Sequence, residues 1–266
     1  MRLLASIMDP TSGDAFVAGF HTVRDAEKVK ENTGYVSQRF GLYSDLTVAE
    51  NIDFYADIYQ VPDAGRRERM EKLLAFSNLA PFTKRLAGKL SGGMKQKLGL
   101  ACALIHTPAI LLLDEPTNGV DPVSRREFWH LIYQLVREKV TIFVSTAYLD
   151  EAERCNRVAL IHKGRLLAIG TPAEVKKLMR GSVMELRVSE PRRAKDLLQA
   201  RLENASVALF GDRIHLTAES IDEALKQVCG VLSSNGINLD SSRTIEPALE
   251  DVFISVLSSE KEKEPK

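Results

Sequence analysis

Ala109–Leu113 is apolar at every position, so both faces of an extended segment there would be buried, as in a central strand of a parallel sheet. Val140–Ser145 reads as a second buried, β-branched strand. Shorter strands are expected at Ala15–Ala18, after a turn over Asp9–Gly13, and at Tyr35–Ser37. Residues 45–87 change character to helical and charged. Thr47-Val-Ala-Glu50 has the form of a capping box, and Val48, Ile52, Tyr55 and Tyr59 then share one helix face that packs inward. A second helix is predicted over Ala64–Ser77, its Arg66-Arg-Glu-Arg69 run reading as a solvated start. Further helices are predicted at Met94–Ile105, at Val123–Glu138 behind an Asp121-Pro122 cap, and around Asp150–Arg154. Arg157–His162 and Leu166–Ile169 form a hairpin about Lys163-Gly164, and Thr171-Pro-Ala-Glu174 caps a helix ending near Arg180-Gly181.

Gly181 marks the expected domain boundary. Beyond it the pattern is strand Val183–Val188, helix Pro191–Leu202, strands Val207–Phe210 and Ile214–Leu216, a Ser220-capped helix to Ser234, strand Ile237–Ser241 and helix Glu246–Leu257. This βαββαβα order suggests a small α+β sandwich without a catalytic constellation; His215 in its strand reads as packed or exposed. Ser258–Lys266 is charged and expected to fray.

Two stretches carry chemistry. Asp114 and Glu115 fall at the carboxyl end of the apolar strand, where open α/β sheets bind ligands. An aspartate there can hold Mg²⁺ through its water shell, and the next carboxylate can orient or deprotonate a water. A loop start alone would explain Pro116 but not two carboxylates beside five buried apolar residues. In Leu90-Ser91-Gly92-Gly93-Met94 the hydroxyl can cap a helix, and the glycines let backbone N–H groups approach an anion. Together the two stretches read as parts of a nucleoside triphosphatase site.

With these motifs the sequence resembles the nucleotide-binding subunits of ATP-binding-cassette (ABC) transporters. Leu90–Met94 is similar to the family's signature motif, and Leu111–Glu115 to its Walker B strand. Gly34-Tyr-Val-Ser-Gln38 is similar to the glutamine loop, Gly119-Val-Asp-Pro122 to the D-loop, and Ser145–Glu153 to the switch segment. The likeness covers residues 1–178. Phe40–Glu50 and Glu250-Asp-Val-Phe253 further resemble ABC-2 type drug and lipid exporters, the first cassette of tandem-cassette export ATPases being the nearest likeness.

The resemblance implies an α/β fold: an incomplete P-loop NTPase core with a parallel sheet and helical subdomain, followed by a small α+β domain. It implies a nucleotide-binding domain over 1–180 with the helical subdomain at about 45–105, an accessory domain over 181–257 and a charged tail over 258–266. Implied ligands are ATP and Mg²⁺. By resemblance, Asp114 orients the metal, Glu115 polarises the attacking water, and Gln38 senses metal and γ-phosphate. Ser91, Gly92, Gly93, Met94 and Asp121 cover a triphosphate held by a second cassette, whether a copy, another subunit or part of a longer polypeptide. The helical subdomain receives a membrane permease. The place of work is then the cytoplasmic face of a bacterial inner membrane, reached through that permease.

Two departures qualify this. The family's Gly-x-x-x-x-Gly-Lys-[Ser/Thr] phosphate loop has no counterpart: the sole Gly-Lys pair, Gly88-Lys89, precedes Leu90. The chain opens instead on Met1–Gly13, which in the family is the helix after that loop, so Met1 is expected to be an internal methionine or a misassigned start. The adenine-stacking aromatic is missing with it. Ala147 stands where the family places its switch histidine, and a methyl group cannot touch a γ-phosphate. The chain's own site is therefore expected to be impaired, while its signature motif remains able to serve a partner. The alternative is a non-catalytic cassette acting as an interaction module, or an inert fragment.

Composition narrows the field. Thirty-six basic against 36 acidic residues give zero formal net charge, which removes any global case for nucleic-acid binding. Three dispersed cysteines, Cys102, Cys155 and Cys229, lack metal spacing and read as buried thiols of a reducing compartment; the five histidines are scattered too. No apolar run approaches the ~18–20 residues of a membrane span. A soluble relative acting on ribosomes or DNA is disfavoured by the neutral charge and exporter-like segments, and a transferase by the absence of an acceptor motif.

Overall fold

A computed structural model describes residues 1–38, 41–179, 181–202 and 205–261. The chain divides into two compact units, Met1–Ala147 and Tyr148–Lys266. Phe40, Arg180 and Glu262–Lys266, which figured in the expectations above, lie outside the described residues.

The first unit opens on turns rather than the expected helix. Ala5 and Ile7 donate back to the carbonyls of Met1 and Arg2 at 3.0 Å, but Ser6 at φ +53° stops propagation. A two-residue hairpin follows, β1 (Phe16–Val17) and β2 (Phe20–His21), then α1 (Ala26–Asn32) and β3 (Thr33–Val36). The helical subdomain holds α2 (Val48–Ile58), α3 (Arg66–Phe76) and α4 (Gly92–Leu104). After it come β4 (Ile110–Asp114), α5 (Pro122–Arg137) and β5 (Thr141–Ser145).

The capping box at Thr47 forms in full, with Glu50 donating its backbone N–H to Thr47 Oγ1 and accepting Thr47 N–H. Val48 and Ile52 are fully buried against Leu74, Leu98 and Ile105, while Tyr55 and Tyr59 pack at the edge of that core. Two of the three arginines of α3 depart from expectation. Arg66, 13 % exposed at its side chain, bridges Asp53 and Asp57 on α2, and Arg69 Nη1 donates to the Ile105 carbonyl. These two join helices, whereas Arg67 and Glu68 face solvent as expected.

Strands β3, β4 and β5 pair in parallel in that order, Tyr35 opposite Leu112 and Asp114 opposite Ser145. Leu111–Leu113 of the central strand are buried as expected, but Ile110 is only half-buried and Ala109 lies exposed before the strand. β5 is not: it bonds only β4 among the described strands, and Phe143 is 48 % exposed.

The second unit contains α6 (Leu149–Ala152), the hairpin β6 (Val158–His162) and β7 (Arg165–Gly170), and α7 (Pro172–Lys176). Then follow β8 (Ser182–Val188), α8 (Pro191–Arg201), β9 (Ala205–Phe210), β10 (Arg213–Ala218), α9 (Ile221–Ser234), β11 (Leu239–Ile245) and α10 (Leu249–Lys261). The βαββαβα order matches the sequence pattern, and its strands form one antiparallel sheet, β11-β8-β10-β9. Helix α7 ends at Lys176, short of Arg180, and α10 continues past Leu257.

Two cores fill this unit. Leu186, Ile214 and Leu216 of the sheet pack on Ala194, Leu198 and Val228 of α8 and α9. Leu249 and Val252 of α10 pack instead with Val158, Leu160, Ala168 and Val175. The last helix thus shares a core with residues that precede Gly181, and the compact unit starts at Tyr148 rather than at 181. Of the cysteines only Cys102 is buried; Cys155 is half-buried and Cys229 exposed.

Candidate functional site

The site is built at the carboxyl end of the parallel sheet. Asp114 ends β4, and Glu115 then adopts φ +46°, a left-handed conformation that costs a non-glycine residue about 1–2 kcal/mol. Two bonds hold it there: Glu115 N–H lies 3.0 Å from the Ser145 carbonyl and 3.1 Å from Ser145 Oγ. The reversal sends the adjacent carboxylates to different partners.

Asp114 is held from both flanking strands. Ser145 Oγ donates to its Oδ1 at 2.6 Å and the Tyr35 hydroxyl to its Oδ2 at 3.2 Å. Burial and the Asp114 charge both push the Tyr35 hydroxyl above its ordinary range, keeping it a protonated donor. Glu115 Oε2 accepts from Gln38 Nε2 at 2.8 Å and from Asn118 Nδ2 at 3.0 Å. Gln38, Asp114 and Glu115 therefore come together as their motifs implied.

A second grouping lies where α4 meets α5. Ser91 caps α4, its Oγ accepting Met94 N–H at 3.3 Å, and Ser91 and Gly92 are exposed. Gly93 is buried: a Cβ built there would stand 2.5 Å from Ser124 Oγ, so only glycine lets α4 approach α5 this closely. Asp121 caps α5, Oδ1 accepting from Val123 N–H at 3.1 Å and Ser124 N–H at 2.9 Å. Those N–H groups, Ser124 foremost, hold its carboxyl below the usual range. The Lys97–Glu127 ion pair adds a second tie between the helices. The close approach of Gly93 and Ser124 thus sets the segment after Leu90 beside the Asp121 turn, with Ser91 and Gly92 exposed.

Ala147 follows β5 in an exposed bend. Its methyl offers no hydrogen bond at the place where the family pattern expects an imidazole.

Magnesium retains several waters and leans on one or two carboxylates plus substrate phosphates. Asp114 suits such a hydrated ion: it is half-buried, set at a strand end and oriented by two hydroxyls. The described residues contain no group of three or more His, Cys, Asp or Glu able to hold an ion unaided. The donor set fits a metal that arrives with phosphates.

Sequence reasoning missed three contributors. Tyr35 and Ser145 meet Asp114 only through strand register, and Asn118 meets Glu115 only because the chain reverses at Glu115. The local hint was polar residues at the ends of apolar strands.

The family described as ABC transporter matches residues 1–118. The chain is 43% identical over 262 residues to the probable multidrug ABC transporter ATP-binding protein YbhF of Escherichia coli, covering 97% of this chain but 44% of that protein. It thus spans less than half the length of that relative. It is 31% identical over 259 residues to the daunorubicin resistance ATP-binding protein DrrA2 of Streptomyces coeruleorubidus, covering 96% of this chain and 80% of that one. Among solved structures it is similar to an ATP-binding cassette caught as a dimer in a post-hydrolysis state with ADP and Pi. The TM-score is 0.57 at 26% identity, over 64% of this chain and 78% of that one. Motifs, geometry and relatives agree: this chain belongs to the ABC transporter family, in its ATP-binding branch.

Proposed function

We propose that this chain is the ATP-binding subunit of an ABC exporter and couples ATP binding and hydrolysis to transport by a separate membrane permease. We further propose that it supplies its signature motif to the triphosphate site of a second cassette. The observation that carries the second part is the joint surface of Ser91, Gly92, Gly93 and Asp121. Ser91 and Gly92, at the start of α4, are exposed there, as a γ-phosphate brought by another cassette requires. The dimeric state of the related solved cassette supports the pairing. The likeness to YbhF, a probable multidrug transporter protein, and to DrrA2, a daunorubicin resistance protein, supports export of drug-like compounds. No helix of the described residues is long and apolar enough to cross a membrane. From the likeness to ATP-binding proteins of transporters, the working place proposed is the cytoplasmic face of the inner membrane, against the permease.

Within a complete site the hydrogen bonds of Asp114, Glu115 and Gln38 support the following roles. Asp114 would hold the hydrated Mg²⁺, which when bound supplies charge neutralisation on the phosphates. Glu115 accepts a proton from the attacking water, and Gln38, already bonded to it, registers the occupant and passes the change toward the helical subdomain. Ser145 and Tyr35 keep Asp114 aimed, and Asn118 keeps Glu115 aimed.

Its own site is the weaker half of this design. The sequence contains no Gly-x-x-x-x-Gly-Lys-[Ser/Thr] loop, and Ala147 replaces the histidine. That observation favours a second reading, a cassette that serves only as partner. Mixing the chain with a cassette that carries its own phosphate loop tests both. The expected result is ATP-dependent co-dimerisation and turnover that Ser91→Arg in this chain abolishes, with weak Mg-ATP binding by this chain alone. Tight binding of Mg-ATP by the isolated chain, or turnover indifferent to Ser91→Arg, overturns the division of labour.

A further inference from the structure

The four-stranded sheet of the second unit packs one face on α8 and α9 through Leu186, Ile214 and Leu216. By strand alternation Glu185 and Arg187 of β8, Arg213 and His215 of β10, Phe210 of β9 and Arg243 of β11 point to the opposite face. Asp251 of α10 reaches His215 on that face, so the far end, around Arg213 and Arg187, is the open one.

The charges there are arranged against intramolecular stability. Arg187 stands directly opposite Arg213 in the β8–β10 register, and like charges in that relation repel. A single carboxylate oxygen, Glu185 Oε1, takes both neighbouring guanidiniums, Arg243 Nε and Arg213 Nη1, each at 2.8 Å. Those two bonds, Arg243 first, hold the Glu185 carboxyl below its usual range, and its negative charge is shared between two cations. The other carboxylate nearby, Asp212, is 3.9 Å from Arg213 Nε. The Arg187 side chain has no hydrogen bond or ion pair with any described residue, its backbone being in the ladder with β10 and β11. Arg213 and Arg243 remain 42% and 64% exposed at their side chains, and Phe210, in register with Arg213, packs its ring on His215. Two guanidiniums anchored on Glu185 and one without a partner on the same sheet face supply the planar fork donors that phosphate oxygens accept from.

We propose that this face binds a phosphate-bearing anion, Arg187 and Arg213 gripping the phosphate and Arg243 flanking it. The chemistry is shared by a soluble phosphate ester and by an anionic phospholipid headgroup. The inference stands on the accessory sheet alone and does not depend on the ATPase reading.

The test uses the full chain with ¹⁵N-labelled arginine, titrated with pyrophosphate in one arm and with phosphatidylglycerol or phosphatidylcholine vesicles in the other. Side-chain N–H resonances and co-flotation are read in wild type, Arg187→Gln, Arg213→Gln and a control, Arg192→Gln on α8. Saturable binding in either arm that weakens about tenfold in Arg187→Gln and Arg213→Gln, but not in the control, is the expected result. Binding in the pyrophosphate arm assigns a soluble ester, and binding to phosphatidylglycerol vesicles alone assigns a headgroup. No saturable binding in either arm, or equal affinity in wild type and Arg187→Gln, overturns the proposal. Arg187 has no partner to lose, so a folding defect in that variant is not expected, and circular dichroism verifies it.

Discussion

Gln38 and Glu115, 77 positions apart in the chain, meet at 2.8 Å between Nε2 and Oε2. Parallel pairing of β3 with β4 places both at the same sheet edge, and the left-handed turn at Glu115 aims its carboxylate toward Gln38. A side chain between β3 and the helical subdomain thus touches the carboxylate proposed to act on the water. Replacing Glu115 with Gln keeps the shape and removes the proton acceptor. In the assembled complex, turnover should fall about 10²- to 10⁴-fold while ATP occupancy persists. Equal single-turnover rates in mutant and wild type would show that Glu115 is not the base.

The two glycines of the signature motif should respond oppositely to a methyl group. At Gly93 the added carbon meets Ser124, and the resulting strain between α4 and α5 should cost about 1–3 kcal/mol. At Gly92 the nearest heavy atom is Gly119 O at 3.9 Å, and alanine there should change stability by no more than about 0.5 kcal/mol. Trp129, the only tryptophan, is buried in α5 and reports this unit in urea titrations. Equal midpoints for the two variants would contradict the packing described for Gly93.

Motifs whose residues are contiguous in the chain are legible in the sequence itself. The Thr47 and Thr171 capping boxes, the Asp121 cap and the apolar β4 each carry their cause within a few residues. What escapes such reading depends on tertiary context. Helix α1 has no side-chain cap and buries only Val29, so its pattern is weak. Strand β5 is largely apolar but, among the described strands, bonds a neighbour on one side only, which periodicity cannot reveal. The same holds for the site: Asp114 and Glu115 are legible, whereas Tyr35 and Ser145 join Asp114 through register alone. The compact unit departs from the boundary expected at Gly181 for a related reason, since the packing of α10 on β6 and β7 links segments far apart in sequence.

Acid should loosen the first unit through His106. Its ring stacks on Tyr59 at 3.7 Å, and Nε2 pairs with the Thr33 carbonyl at 3.1 Å. Burial first, and then the Arg69 charge, lower its pKa below the ordinary 6.5, while the Thr33 bond opposes them. The unfolded chain therefore takes up this proton more readily than the folded one, and stability falls as pH drops below 6.5 toward the folded value. His106→Gln can still reach a carbonyl but cannot titrate. Urea midpoints followed by Trp129 fluorescence should decline from about pH 7 to about pH 5 in wild type and more shallowly in the variant. Parallel declines would remove His106 as the cause.

The last helix should depend on one buried carboxylate. Asp251, 2% exposed at its side chain, accepts from His215 Nδ1 at 2.9 Å and from Ala248 N–H at 2.9 Å. One bond ties α10 to the antiparallel sheet, and the other satisfies a backbone donor at the helix start. Asp251→Ala removes both acceptors and strands a mostly buried imidazole, a loss of about 1–3 kcal/mol. Asp251→Asn keeps an acceptor for Ala248 and should lose less. Leu249→Ala, by contrast, opens a cavity in the cluster with Val158 and Val175, at about 2–5 kcal/mol. Hydrogen exchange separates the effects: Asp251→Ala should raise exchange at the first turn of α10 and along β10, Leu249→Ala in α10 and the β6–β7 hairpin. If Asp251→Ala leaves β10 protection unchanged, the pair with His215 contributes nothing to holding the helix.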